Sequence, residues 1–136
     1  MLAVNLGGGI LPVLVSGYLL VRFPGAIAYA LLATVAVSLV IHQVARPVRG
    51  VGIVTPALVP PLAAAIASIA FVGVLGGSAE ARFVTAYVSG TVGTLIGADL
   101  LNLGAVTELG APVVSIGGAG TFDGIFLTGI LAVLLA

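Results

Sequence analysis

Asp99, in ThrLeuIleGlyAlaAspLeuLeuAsnLeu (94–103), and Asp123, in GlyAlaGlyThrPheAspGlyIlePhe (118–126), each lie inside a long apolar segment. A carboxylate in hydrocarbon costs roughly 2.5–3.5 kcal/mol on insertion scales, and such residues usually mark a working site. Two carboxyls held close in a low-dielectric setting cannot both ionise easily. One keeps its proton, so the pair offers a base and an acid at once. Three uses follow. The pair can hydrolyse a peptide bond, one carboxylate activating water while its partner protonates the carbonyl. It can relay protons or hold a cation along a transport path. Or each aspartate can be structural, capping a helix or bonding a glycine N–H. The residues alone leave all three open.

The neighbours of the two aspartates supply candidate supporting groups. Asn102 stands three residues after Asp99, on the same helical face, where it can orient the carboxyl. Thr121 can cap the helix that carries Asp123. Gly93/Gly97, Gly120/Gly124 and Gly73/Gly77 are each four apart, the spacing that lets membrane helices approach closely. Thr94, Thr121 and Thr128 are expected to bond carbonyls of their own helices. Pro56, Pro60 and Pro61 interrupt the third apolar segment near its start; a kink, an interfacial helix start and an irregular backbone lining a cavity all fit. His42 reads as an interfacial residue beside Arg46, and Glu80 and Glu108 as solvated. One histidine, two aspartates and a distant glutamate do not make a zinc motif, so no metal and no cofactor are expected. No serine sits in a GxSxG setting.

These residues need a membrane-embedded frame. Of 136 residues, 61% are apolar and 6% charged, against about 25% charged in a soluble domain. Too few charges exist to cover a water-facing surface. The scattered Arg22, Arg46, Arg49 and Arg82 make no basic face for nucleic acid. Cysteine is absent, which removes disulfides and thiolate metal sites. A spanning helix needs about 20 apolar residues. Cut at the charges, the chain gives five segments: 3–21, 26–43, 52–75, 83–103 and 113–136. The N-terminus lacks the positive n-region of a signal peptide and reads as the first of these. ArgPheProGly (22–25), AlaArgProValArgGly (45–50) and the polar 76–82 read as turns, and 104–112 as a short interfacial or re-entrant connection. The expected fold is an all-α polytopic transmembrane bundle in one domain, 1–136, with broken or re-entrant stretches near 56–61 and 104–120. So small a bundle is expected to form a homo-oligomer. The Arg46/Arg49 pair tilts the topology towards a cytoplasmic N-terminus.

Two registers are open for the last segment. GlyGlyAlaGly (117–120) is a poor helix interior. A helix starting after it puts Asp123 in the first turn, near the level of Asp99. A helix running from about Val113 puts Asp123 near mid-membrane, offset by about 10 Å.

The blocks 90–103 and 115–129, beginning GlyThrValGlyThr and SerIleGlyGlyAla, resemble the signature blocks of an uncharacterised prokaryotic membrane family, domain of unknown function 1614. AlaArgProValArgGlyValGlyIleValThrProAlaLeuValPro (45–60) is similar to a third block. The resemblance covers nearly the whole chain and implies a prokaryotic plasma-membrane protein without an assigned activity. A remoter likeness is to the GxGD aspartyl intramembrane proteases, the presenilin and signal-peptide-peptidase group. It implies Asp99 and Asp123 as the catalytic dyad, Pro56, Ala57 and Leu58 as a ProAlaLeu motif beside it, and a transmembrane peptide as substrate. The chain departs from that pattern: neither aspartate reads GxGD, and ProAlaLeu precedes the aspartates rather than following them.

Overall fold

The computed structural model describes residues 2–49, 52–104, 114–116 and 124–136. Among them it is an all-α bundle of five helices: α1 (Leu11–Arg22), α2 (Ile27–Val44), α3 (Val59–Leu75), α4 (Ala79–Thr94) and α5 (Gly124–Leu135). Four short strands accompany them. β1 (Leu2–Val4) pairs in parallel with β4 (Val114–Ile116), and β2 (Arg46–Val48) pairs with β3 (Gly52–Val54) as a hairpin. Two helical runs, Pro24–Val44 and Ala79–Asn102, are long and apolar enough to cross a membrane.

Helix α4 is the hub and touches all four other helices. Its sequence explains this, because one residue after another is small. Ala86, Ser89, Gly90, Gly93 and Gly97 are all buried. Gly90 faces Ala64 of α3 and Ala132 of α5. Gly93 lies on Val37, and Gly97 lies against the Ser38 backbone and Ile41 of α2. Without side chains at these points the backbones come close enough for dispersion contacts to hold them. A polar link joins α4 to α1: Thr91 Oγ1 donates to the Tyr87 carbonyl at 2.9 Å. Its oxygen then accepts from Ser16 Oγ of α1 at 3.2 Å. The opposite faces of α1 and α2 present Leu14, Tyr18, Val21, Leu31, Val35 and Leu39 outward.

Several expected boundaries move. The third segment is not helical from 52: residues 52–54 are strand, and α3 begins at Val59 with Pro60 and Pro61 in its first turn. There the missing N–H groups would be unpaired in any case, so these prolines start a helix rather than kink one. The turn expected over 76–82 shrinks to 76–78. Gly76 takes a left-handed φ of 76°, and Ser78 caps α4 by accepting from the Ala81 N–H at 3.1 Å. Glu80 and Arg82 therefore sit in the first turn of α4. The first segment opens with β1 and a π-helical turn (Leu6–Ile10) before α1. Gly9 permits this: a Cβ there would fall 2.8 Å from Val4 and 3.2 Å from the Ile116 carbonyl oxygen. The register with a helix from Val113 is overturned, since 114–116 are extended and α5 starts at Gly124. Of the glycine pairs, Gly93/Gly97 packs as expected, whereas Gly73 has open space where its Cβ would be.

Candidate functional site

Past Thr94, α4 widens into a π-helical turn, Leu95–Asp99, and then tightens into a 3₁₀ turn, Leu100–Asn102. Such π turns recur at functional sites, because the extra residue redirects side chains and frees carbonyls from the helix ladder. Asp99 is the last residue of this one. The freed carbonyls are met by Asn102, whose Nδ2 donates to the Gly97 oxygen at 3.0 Å and the Ala98 oxygen at 2.9 Å. Asn102, expected to orient Asp99, secures through these bonds the turn that carries it.

The same amide nitrogen lies 3.4 Å from Nδ1 of His42 on α2. The two hydrogens of that nitrogen already serve the Gly97 and Ala98 carbonyls, so the contact to Nδ1 is at most a weak, shared hydrogen bond. His42 thus joins α2 to the π turn instead of simply standing beside Arg46.

Asp99 lines a cavity of about 350 Å³. Thr94 of α4 and Ala98 of the π turn share its wall, as do Ile53 of β3, Thr55, Ala57 and Leu58 from the stretch after it, and Pro60 in the first turn of α3. The start of α5 closes it with Ile125, Leu127, Thr128 and Leu131. Irregular backbone at this level fits a stretch that lines a cavity. Ala57 and Leu58 therefore lie at the same space as Asp99, although they precede it by some forty residues in a chain that must fold back to bring them there. Asp123, Thr121 and Gly120 lie outside the described residues; Gly124 is the first residue of α5. The residues described on either side of that segment, Ile116 and Ile125, pack together with Leu95, one helical turn before Asp99.

Threonines matter here more than their expected role suggests. Thr94 Oγ1 is buried and has no hydrogen-bond partner, so it does not bond its own helix as Thr91 does. Thr55 was not singled out by sequence; its only signal is a polar residue immediately before Pro56. Among the described residues no three of His, Asp and Glu come together as a metal site.

No curated protein and no solved structure matches the chain, the GxGD proteases included. The model of one family, described as a protein of unknown function (DUF1614), matches residues 1–135. The match runs through the π turn, the hairpin before α3 and α5 alike, and so the chain belongs to the DUF1614 family.

Proposed function

We propose that this is an integral membrane protein in which Asp99 and Asp123 form an acid–base pair that hydrolyses a peptide bond within the bilayer. The observation that carries the reading is the cavity at Asp99, walled by a π turn, by Ala57 and Leu58, and by the first turns of α5. Asp123 immediately precedes α5 and is two residues from Ile125, at most about 7 Å of chain. Support for the membrane setting comes from the two long apolar helices and from the exposed leucines and valines of α1 and α2. Such a surface is a liability in water and a match for lipid.

In the reaction one carboxylate takes a proton from water, and the water oxygen bonds to the peptide carbon. The protonated partner gives its proton to the carbonyl oxygen. Collapse of the resulting diol breaks the C–N bond, and the amine leaves with the proton the first carboxyl collected. The partners are the lipid bilayer and a transmembrane peptide, with a second copy of the chain completing a homo-oligomer in a prokaryotic plasma membrane.

The test is cleavage of an internally quenched transmembrane peptide by the detergent-purified protein. Asp99→Asn and Asp123→Asn are each expected to reduce cleavage to background while leaving the helical circular-dichroism signal intact. Cleavage by either variant at the wild-type rate would sink the proposal. A second reading has its own observation. Thr55, Thr94 and Thr128 line the same cavity as Asp99, and clustered oxygens suit a cation or a proton path. Proteoliposomes with an internal pH dye separate the two: flux abolished by Asp99→Asn, without peptide cleavage by the wild type, selects transport.

A further inference from the structure

The bundle end opposite Asp99 holds a second cavity, of about 470 Å³, between the α1–α2 turn and the α3–α4 turn. Two opposite charges line it. Arg22 is the last residue of α1, and Glu80 lies in the first turn of α4. Neither has an ion-pair partner among the described residues. The Arg22 guanidinium lies over the Phe23 ring, 5.5 Å from its centroid. That contact to the ring uses the cation's charge and takes up no carboxylate or phosphate partner. Glu80 is not used as the helix cap, because Ser78 already serves the Ala81 N–H. Gly25 and Gly77 hollow the space by lacking side chains, and the Tyr29 ring closes over Gly77, where a Cβ would come within 3.0 Å.

Depth supplies the next step. Glu80 and Asp99 are nineteen residues apart on one helical run, about 28 Å at 1.5 Å per residue. That is close to the hydrocarbon thickness of about 30 Å. With Asp99 near one interface, Arg22 and Glu80 stand at the headgroups of the other. A cavity there with one fixed cation and one fixed anion, not neutralising each other, suits a headgroup that carries both charges.

We propose that this cavity binds an aminophospholipid of the phosphoethanolamine type, with its phosphate on Arg22 and its primary ammonium on Glu80. A choline headgroup has no N–H to give Glu80, and a glycerol headgroup has no cation at all. The inference rests on the membrane setting proposed above and not on the aspartate pair.

The experiment is native mass spectrometry of the full chain released from vesicles of equimolar phosphatidylethanolamine, phosphatidylcholine and phosphatidylglycerol. The wild type is expected to retain phosphatidylethanolamine about tenfold over the other two, the scale of one charge-assisted hydrogen bond. Glu80→Gln is expected to erase the preference over phosphatidylcholine. Arg22→Gln is expected to lower retention of all three. Both residues are exposed, so the fold survives, and circular dichroism checks it. Soluble glycerophosphoethanolamine is expected to compete, which shows that headgroup chemistry rather than acyl chains is being read. Equal retention of the three lipids, or a preference unchanged by both substitutions, overturns the proposal alone. Recovery of the chain in the supernatant of carbonate-washed membranes overturns it together with the membrane setting.

Discussion

Replacing Gly97 by alanine sets a methyl group onto the backbone of α2. The new Cβ falls on the Ser38 carbonyl oxygen and within 3.0 Å of the Ser38 Cα and the Ile41 Cβ. Backbone atoms cannot rotate out of the way, so α2 and α4 must separate. Overpacking of this kind costs about 1–3 kcal/mol, and contact with backbone puts Gly97→Ala at the upper end. Alanine returns about 1 kcal/mol of helix propensity, leaving a net loss of about 2 kcal/mol. At Gly93 the new Cβ falls 2.9 Å from a Val37 methyl, 3.0 Å from the Val37 Cβ and 3.3 Å from the Thr34 carbonyl oxygen; only the methyl can turn, but no backbone atom comes as near as at Gly97. The overpacking term there falls in the middle of its range, and Gly93→Ala is expected to lose about 1 kcal/mol net, less than Gly97→Ala. At Gly73 nothing lies within 4 Å, and alanine is expected to stabilise by up to about 1 kcal/mol. The assay is unfolding of the purified protein by titrated sodium dodecyl sulfate, followed by circular dichroism. Gly97→Ala as stable as the wild type, or Gly73→Ala as damaging as Gly97→Ala, would refute the account of α4 as a hub packed through its glycines.

Two further outcomes test the site. Thr94→Val removes a buried hydroxyl without a partner and is expected to raise stability by about 1 kcal/mol, whereas Thr91→Val breaks the link to Ser16 and should lower it by about 0.6 kcal/mol; the same dodecyl sulfate titration reads both. Asn102→Leu leaves the Gly97 and Ala98 carbonyls without their side-chain donor and is expected to cost about 1–3 kcal/mol; peptide cleavage should fall by more than the unfolded fraction explains, because the π turn that presents Asp99 relaxes.

Much of the frame is legible in the residues. Long uncharged runs broken by Arg22, Arg46 and Glu80 mark helices and joints, because a charge is expensive in hydrocarbon wherever the helix around it goes. The prolines at 60 and 61 mark a boundary for an equally local reason: they remove N–H donors that only a first turn can spare. The placement of Gly93 and Gly97 was half legible. Their spacing announces a close approach, but of the equally spaced Gly73 and Gly77 only Gly77 is closely covered while Gly73 faces open space, since spacing does not name the partner helix. The π turn at 95–99 was not legible, because it depends on a side chain downstream, Asn102, and on a neighbour, His42, sixty residues earlier in the chain.

The sequence by itself determined that this chain is a helical, apolar object with a few costly polar residues, because composition and local propensity act residue by residue. Only the tertiary structure decided what those polar residues face. It brought the stretch before α3 and the start of α5 to the cavity at Asp99, left Thr94 unbonded there, and set Arg22 and Glu80 around a second cavity without pairing them. Such meetings are made by helices packing through small residues, and the distance between two side chains across a helix interface is written in neither of their local sequences.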